Sequence, residues 1–350
     1  MDDAAAGTAT RAEPPTLELL VIGAGPAGLA VAIAAREAGL EYEVLEKGVL
    51  VNSIYHFPRN MVFFTTAELL EIGGLPFVTP YEKPTQVEGL RYYRRVTETY
   101  GLRVSLGENV QAVRAQRPGR DGARFRVETV RGEEARVRRA RNVVASVGYY
   151  DHPNLLGVPG EDLPHVSHYY YEPHGCWSKQ VVVVGGKNSA AINALELYRA
   201  GAKVTLVHRR DRLSDSIKYW IKPDIENRIK EGSIAARFGT SVTEIRRGAV
   251  VVRGPKGRDE IPAEVVYLMT GYHPDPALFE GAGVRVDPET LAPAHDPQSL
   301  ETSVPGFYVA GSVVSGKNTG RIFIENGRFH GEAIVASILR SRGVNPRSLS

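Results

Sequence analysis

The sequence predicts an α/β chain in which one β-α-β module occurs twice, the second copy inserted between the two halves of the domain that carries the first. Three observations predict it. In Leu19–Glu46, LLVIGAGPAGLAVAIAAREAGLEYEVLE, an apolar run, a glycine-rich turn, an alanine-rich helix and a second apolar run ending in an acid follow one another. The same order returns without a gap in Gln180–Arg210, QVVVVGGKNSAAINALELYRAGAKVTLVHRR, 162 positions further on, so that Gly185 falls on Gly23, Ala190 on Gly28, Gly201 on Gly39 and His208 on Glu46. Finally, two apolar runs end in glycine, Asn142–Gly148 (NVVASVG) and Val265–Gly271 (VVYLMTG), as the two crossings between a host domain and its insert require.

Length and composition set the bounds. The 350 residues, 43% of them hydrophobic, suffice for two cores. A net charge of +3, from 43 basic against 40 acidic residues scattered along the chain, gives no reason to expect a nucleic-acid partner. No apolar run approaches the ~20 residues of a membrane span. Residues 1–16 begin with acids and lack an apolar h-region, so they read as a flexible tail rather than a signal peptide, and a cytoplasmic location is the expectation. The single cysteine, Cys176, excludes an intrachain disulfide and a C-x-x-C redox pair.

Each element then follows in order. Gly23, Gly25 and Gly28 form G-x-G-x-x-G: the first permits the tight turn, the second lets backbone approach a pyrophosphate, and the third lets the helix pack closely on the strand. Pro26 stands at the start of the helix, where it costs little, and Ala27 lies inside the same loop. The free N–H groups and the positive helix end face the phosphates. Glu46 ends the second strand, where a carboxylate accepts from both ribose hydroxyls and repels a 2′-phosphate, so FAD or NAD fits there and NADP does not. Lys47 follows it and counts among the candidates. Lys47–Phe77 is crowded with aromatics and small polar residues and reads as a shaped loop region, with Asn52, Ser53 and Tyr55 as hydrogen-bonding candidates toward a flavin. Pro84–Tyr100 reads as an amphipathic helix, and Arg103–Val113 with Ala123–Val137 as a small antiparallel sheet beside the main one.

The run Asn142–Gly148 is a buried strand whose Gly148 stands at the cofactor end, and the Pro- and Gly-rich stretch after it is a crossover. His165, His168 and His174 lack a carboxylate or cysteine at ligand spacing, so no metal site is expected. In the second module Lys187 replaces the middle glycine and its ammonium can meet a pyrophosphate, while Asn188 and Ser189 open the helix as caps and donors beside Gly185. His208, Arg209 and Arg210 replace the acid by cations, which favours a 2′-phosphate and hence NADPH. Trp220, in SIKYWIKP, either covers a ring or packs. Ser303–Ile338 brings a strand back to the first domain, with Gly311 and Ser312 at its end. ENGRFHG (Glu325–Gly331) opens the final helix, where backbone N–H groups around Asn326 and Gly327 are expected at the flavin pyrimidine edge.

Over residues 17–345 the two glycine motifs, the crossover strands, the AGS turn and the terminal helix resemble the thioredoxin-reductase-like flavoproteins with two Rossmann-like dinucleotide-binding domains. More narrowly, NSIYHFP, FFTTAELLEIGGLPF, VVVVGGKNSA, SIKYWIKP and FIENGRFHG are similar to the bacillithiol-disulfide reductase family. The resemblance implies an FAD domain of residues 17–151 and 276–350, an NADPH domain of residues 152–275, a homodimer, and electron transfer from NADPH through non-covalent FAD to a small disulfide. Two departures matter. The C-x-x-C of thioredoxin reductases falls on His168–Tyr171 here, which excludes a dithiol relay to thioredoxin. The cysteine that family members carry inside the first glycine loop is replaced by Ala27, leaving Cys176 as the one thiol candidate for catalysis. Ala27 raises the standing of another acceptor (a ferredoxin, flavodoxin or quinone) on the same machinery. A flavin monooxygenase is disfavoured because F-x-G-x-x-x-H is not reproduced, Pro164 standing where the histidine belongs. A non-catalytic redox sensor is the remaining reading, and it requires tight NADPH binding without turnover.

Overall fold

The computed structural model describes residues 14–344; the first 13 residues of the expected tail and residues 345–350 lie outside the described residues. The elements run β1 (Thr16–Ile22), α1 (Pro26–Glu37), β2 (Tyr42–Glu46), α2 (Asn52–Tyr55), α3 (Gln86–Thr99), β3 (Val104–Leu106), β4 (Glu108–Ala115), β5 (Phe125–Arg131) and β6 (Glu134–Ala145). They continue with β7 (Val166–Ser167), β8 (Gln180–Val184), α4 (Asn188–Arg199), β9 (Lys203–Val207), α5 (Lys222–Lys230), β10 (Ala235–Arg237), β11 (Ser241–Arg246), β12 (Gly248–Gly254), β13 (Gly257–Ala263) and β14 (Val265–Leu268). The chain closes with α6 (Ala277–Gly281), β15 (Phe307–Val309), α7 (Ile324–Gly327) and α8 (His330–Ser341).

Two mixed or parallel sheets carry the fold. The first has the order β3-β2-β1-β6-β5-β4, with β15 pairing β6 in parallel, so strands from both ends of the chain share it. The second, β10-β9-β8-β14-β7, is parallel throughout and comes from the middle of the chain. The repeat is structural as well as sequential. Ile22 pairs Leu45 in the first sheet, and the equivalent Val184 pairs Val207 in the second.

Side-chain alternation explains the layers. Leu19 and Val21 enter a core with the faces of α1, α3 and α8, while Leu20 and Ile22 enter one with Val113, Phe125, Val127 and Phe279. In the second sheet Val181 and Val183 pack on α4, and Val182 and Val184 pack under the antiparallel β11-β12-β13 sheet.

Three expectations are corrected. The antiparallel strands do not form a separate sheet, because β6 is one 12-residue strand whose first part pairs β5 antiparallel and whose second part pairs β1 in parallel. Its charged half had masked its continuity with Asn142–Gly148. The helix expected at Pro84–Tyr100 begins at Gln86, since Thr85 and Glu88 close a full capping box. Finally, ENGRFHG does not open one helix. α7 ends at Gly327 and α8 starts at His330.

Candidate functional site

Both glycine turns open onto one cleft of about 2020 Å³ between the sheets. Gly23, Gly25, Pro26 and Ala27 line it from the β1–α1 turn, and Gly185, Gly186, Lys187, Asn188 and Ser189 from the β8–α4 turn. No side chain caps the N-terminus of α1 or of α4, and neither first turn holds an acid. The capping box of α3, away from these turns, shows what a satisfied helix start looks like here. Two uncapped helix starts at one cleft present free N–H groups and positive dipole ends, the arrangement that binds phosphate.

The first turn is tight where it must be and open where a ligand enters. A Cβ on Gly28 would stand 2.0 Å from the Gly23 carbonyl oxygen, whereas one on Gly25 would meet nothing within 4 Å. Gly23 takes φ +102, and Ser146 Oγ lies within hydrogen-bonding distance of the Ile22 and Gly23 carbonyls at 2.9 and 2.8 Å. Glu46 is buried, yet its carboxylate accepts from Ala24 N–H through Oε2 and from Gly48 N–H through Oε1, both at 2.9 Å. Burial pushes its carboxyl above the ordinary range, and those two N–H groups oppose the shift. The carboxylate is thus held at the end of β2 with acceptor capacity left over, which fits a ribose.

Lys47 Nζ pairs with Asp151 at 2.9 Å, and both line the cleft. Val51 turns the chain through φ 49, a left-handed value unusual for a β-branched residue, and so brings Asn52 and Ser53 to the cleft at the start of α2. Asn52 Oδ1 accepts from Val49 N–H at 3.3 Å, holding that loop.

Gly148, Gly311 and Ser312 complete this wall. His330 Nδ1 accepts from Gly311 N–H at 3.0 Å, so the start of α8 holds the turn after β15 and the imidazole is neutral. Burial, with His295 acting in the same direction, pushes its pKa down to about 4 from 6.5. Between those two values the unfolded chain binds a proton that the folded chain refuses, so stability rises with pH across that window and is lost as pH falls through it. We expect this residue to remove about 2 kcal/mol of stability between pH 7 and pH 5. In His330→Asn, whose Oδ1 stands where Nδ1 does, that part of the loss should vanish. Urea unfolding of both proteins at the two pH values measures it, and equal slopes would refute the assignment.

The second module differs at the ribose end. The His208 ring packs over Gly186, where a Cβ would lie 2.3 Å from it, and His208 Nε2 is buried without a hydrogen-bond partner. An orphaned ring nitrogen in a cleft wall fits a nucleotide hydroxyl or phosphate. Desolvation first, then Arg210 and Arg209, lower the His208 pKa below 6.5, which corrects its reading as a cation: the positive charge here belongs to the arginines. Arg209 lines the cleft and Arg210 an adjoining pocket of about 310 Å³ that ends at Ser216. Neither guanidinium has an ion-pair partner among the described residues.

Asn188 does not cap α4. Lys187 is the N-cap residue, and the Asn188 amide instead accepts from Lys218 N–H at 2.9 Å and donates to the Ser216 carbonyl at 3.2 Å.

Other candidates lie off the cleft wall. Tyr55 is exposed, its ring edge-on to His56. The Asn326 amide is consumed inside its own turn, accepting from Phe323 N–H and donating to the Arg321 carbonyl, and Gly327 packs behind Gly311. Gly28 sits behind the turn, as its packing role requires. Cys176 is 4% exposed, with Sγ 3.7 Å from the Tyr267 hydroxyl, and is not part of the lining, so the structure does not bring it to the cleft. Among the described residues no cluster of His, Cys, Asp and Glu is arranged as metal ligands.

Several lining residues had not been singled out: Ser146, the stretch 108–112, Tyr150 with Tyr272, and Phe64 with Lys83 and Lys218. Ser146 had a readable signal, a small polar residue one step beyond a buried strand. Residues 108–112 reach the cleft from the start of β4, and the remaining ones through loop geometry that periodicity does not report.

The comparisons agree with this geometry. Residues 20–311 match the model of the pyridine nucleotide-disulphide oxidoreductase family. The chain is 42% identical over 322 residues to the bacilliredoxin reductase Bdr of Bacillus subtilis, covering 92% of this chain and 97% of that one. Among solved structures, the bacillithiol disulfide reductase Bdr (YpdA) from Bacillus cereus superposes with a TM-score of 0.90 at 40% identity, covering 93% of this chain and 99% of that one. The protein of that name from Staphylococcus aureus does so at 0.88 and 35%, covering 94% and 100%.

Proposed function

The chain belongs to the pyridine nucleotide-disulphide oxidoreductase family, and from that premise we propose that it uses NADPH to reduce a low-molecular-weight disulfide, bacillithiol disulfide in the first instance, with FAD as the carrier. The carrying observation is the pair of uncapped helix starts on one cleft, with buried Glu46 at the ribose end of one and neutral His208 beside unpaired Arg209 at the ribose end of the other. We assign the FAD unit to residues 17–151 with 276–350 and the NADPH unit to 152–275, supported by the first sheet drawing strands from both ends of the chain.

Bound FAD supplies the two-electron carrier between nicotinamide and acceptor. The residues supply binding, order and dryness. The free N–H groups of Ala27 and Gly28 would hold the FAD diphosphate, Glu46 its adenosine ribose, and Gly148, Gly311 and Ser312 the opposite side. The uncapped start of α4, with Lys187 and Ser189, would hold the NADPH diphosphate, and Arg209 and Arg210 its 2′-phosphate. His330 keeps Nδ1 free of a proton and so fixes the Gly311 turn. Phe57 packs edge-on to Tyr150, and Tyr150 against Tyr272, excluding water from the wall between the sheets.

A second reading rests on one observation: the cleft wall holds no thiol, since Ala27 stands in the glycine loop and Cys176 is buried elsewhere. An acceptor that needs no protein thiol, such as a ferredoxin, flavodoxin or quinone, fits the same machinery. Following NADPH consumption with oxidised bacillithiol, a ferredoxin, a quinone and oxygen in parallel separates the two. We expect the disulfide to be the fastest acceptor, and turnover confined to the carriers would overturn that. We take the protein to act as a cytoplasmic homodimer; sedentary monomer behaviour in analytical ultracentrifugation would correct the oligomeric part. Among the described residues no helix is long and apolar enough to cross a membrane.

A further inference from the structure

One cluster on the cleft wall is not among the residues assigned above to either dinucleotide. Phe64 and Lys83 come from the segment between α2 and α3, Lys218 and Trp220 from the loop before α5, and all four line the cleft. The Phe64 and Trp220 rings meet edge to face with centroids 6.2 Å apart. Lys83 Nζ lies 4.1 Å from the Trp220 ring centroid, and Lys218 Nζ lies 5.9 Å from that centroid and 5.5 Å from that of Phe64. Two ammonium groups therefore share one aromatic pair, and neither has a carboxylate partner among the described residues. Each ring face attracts a cation, but the two cations repel one another.

The cluster is anchored. Lys218 N–H donates to Asn188 Oδ1 at 2.9 Å, and Asn188 Nδ2 holds the Ser216 carbonyl at 3.2 Å, so the loop is tied to the start of α4. On the other side Phe63 N–H donates to the Pro84 carbonyl at 2.9 Å, and Gln86 N–H to the Met61 carbonyl at 2.9 Å, which pins the residues flanking Phe64 and Lys83. A held aromatic pair bearing two free ammonium groups, with one of each from either side of a cleft, is built to receive an anion between them.

We propose that Phe64, Lys83, Lys218 and Trp220 form an acceptor subsite that binds the carboxylate-bearing end of an acidic disulfide. The inference rests on the disulfide-reductase reading above and adds the chemistry of the acceptor. The two dinucleotides are the other sources of anionic groups, but the residues assigned to FAD come from the first unit alone and those assigned to NADPH from the second alone, whereas this cluster takes Phe64 and Lys83 from the first unit and Lys218 and Trp220 from the second. Carboxylates are recognised by charge-assisted hydrogen bonds from the two ammonium groups, and the rings supply a flat apolar wall for the chain next to them.

Two measurements on the full FAD-loaded protein test it. In a Trp177→Phe background Trp220 is the one remaining indole of the two in the chain, and its fluorescence is titrated with oxidised glutathione, which carries carboxylates, and with 2-hydroxyethyl disulfide, which carries none. We expect saturable quenching by the first alone, abolished by Lys83→Gln/Lys218→Gln. In steady-state turnover the same double variant should raise KM for the acidic disulfide about tenfold, leave kcat within twofold, and leave KM for the neutral disulfide and for NADPH unchanged. An unchanged Trp220 signal, equal losses on both disulfides, or a rise confined to NADPH would overturn the subsite. Quenching by the acidic disulfide without reduction of either disulfide would keep the subsite and reject the disulfide-reductase reading instead.

Discussion

Glu46→Gln is expected to leave purification largely stripped of flavin and to bind added FAD roughly 10²- to 10⁴-fold more weakly than the parent protein. The carboxylate does two jobs at once. It accepts from Ala24 N–H and Gly48 N–H, which holds the β1–α1 turn against the end of β2, and its remaining lone pairs face the cleft. An amide has one acceptor oxygen and an NH₂ group, so one backbone N–H must confront a donor. Leaving that buried N–H unsatisfied costs about 1–3 kcal/mol in the empty protein. Toward the ribose the loss is larger, because hydrogen bonds to a charged acceptor contribute about 1.5–3 kcal/mol each and two hydroxyls are involved. The ratio of flavin to protein absorbance after purification and a fluorescence titration with FAD measure both effects. Stoichiometric flavin in the variant would remove Glu46 from the FAD site, and a colourless parent protein with no affinity for FAD would remove the site altogether.

The same residue shows why so much of this fold was legible in sequence. A module that must bind a diphosphate needs a strand, a turn that only glycine can make, a helix that starts uncapped and a group of chosen charge at the next strand end. Those demands fall within 28 consecutive residues, Leu19–Glu46, so local pattern reports them. The second copy is legible by register: Gly185, with φ +153, repeats the left-handed turn of Gly23, and the α4 bounds repeat those of α1.

What escaped was decided by tertiary contact. Asn188 looks like a cap, yet its amide is claimed by Lys218 and Ser216, nearly thirty residues on. His208 looks like a cation, yet desolvation and two neighbouring arginines keep it neutral. Asn326 sits in the right motif, but a turn of its own uses its amide. The cluster of Phe64 with Trp220 joins segments separated by more than 150 positions, and nothing in either segment's periodicity announces the other.

The second large effect concerns which nicotinamide coenzyme is used. Arg209→Ala/Arg210→Ala should raise KM for NADPH about 10²- to 10³-fold while changing KM for NADH by less than about threefold. Both guanidinium groups are exposed and unpaired among the described residues, so their removal strands no buried carboxylate and should change stability by less than about 0.5 kcal/mol. Since His208 is neutral, it does not replace the lost charge. We therefore expect the arginine pair to be the source of discrimination, and the discrimination to be electrostatic in kind. In the parent protein KM for NADPH should therefore climb with ionic strength more steeply than KM for NADH, because the additional contact is between exposed charges that salt screens. In the double variant the two salt dependences should converge. Parallel losses for both coenzymes, or a difference in salt dependence that survives the substitutions, would place the 2′-phosphate elsewhere, with Lys187 or Arg212 as the next cations to test.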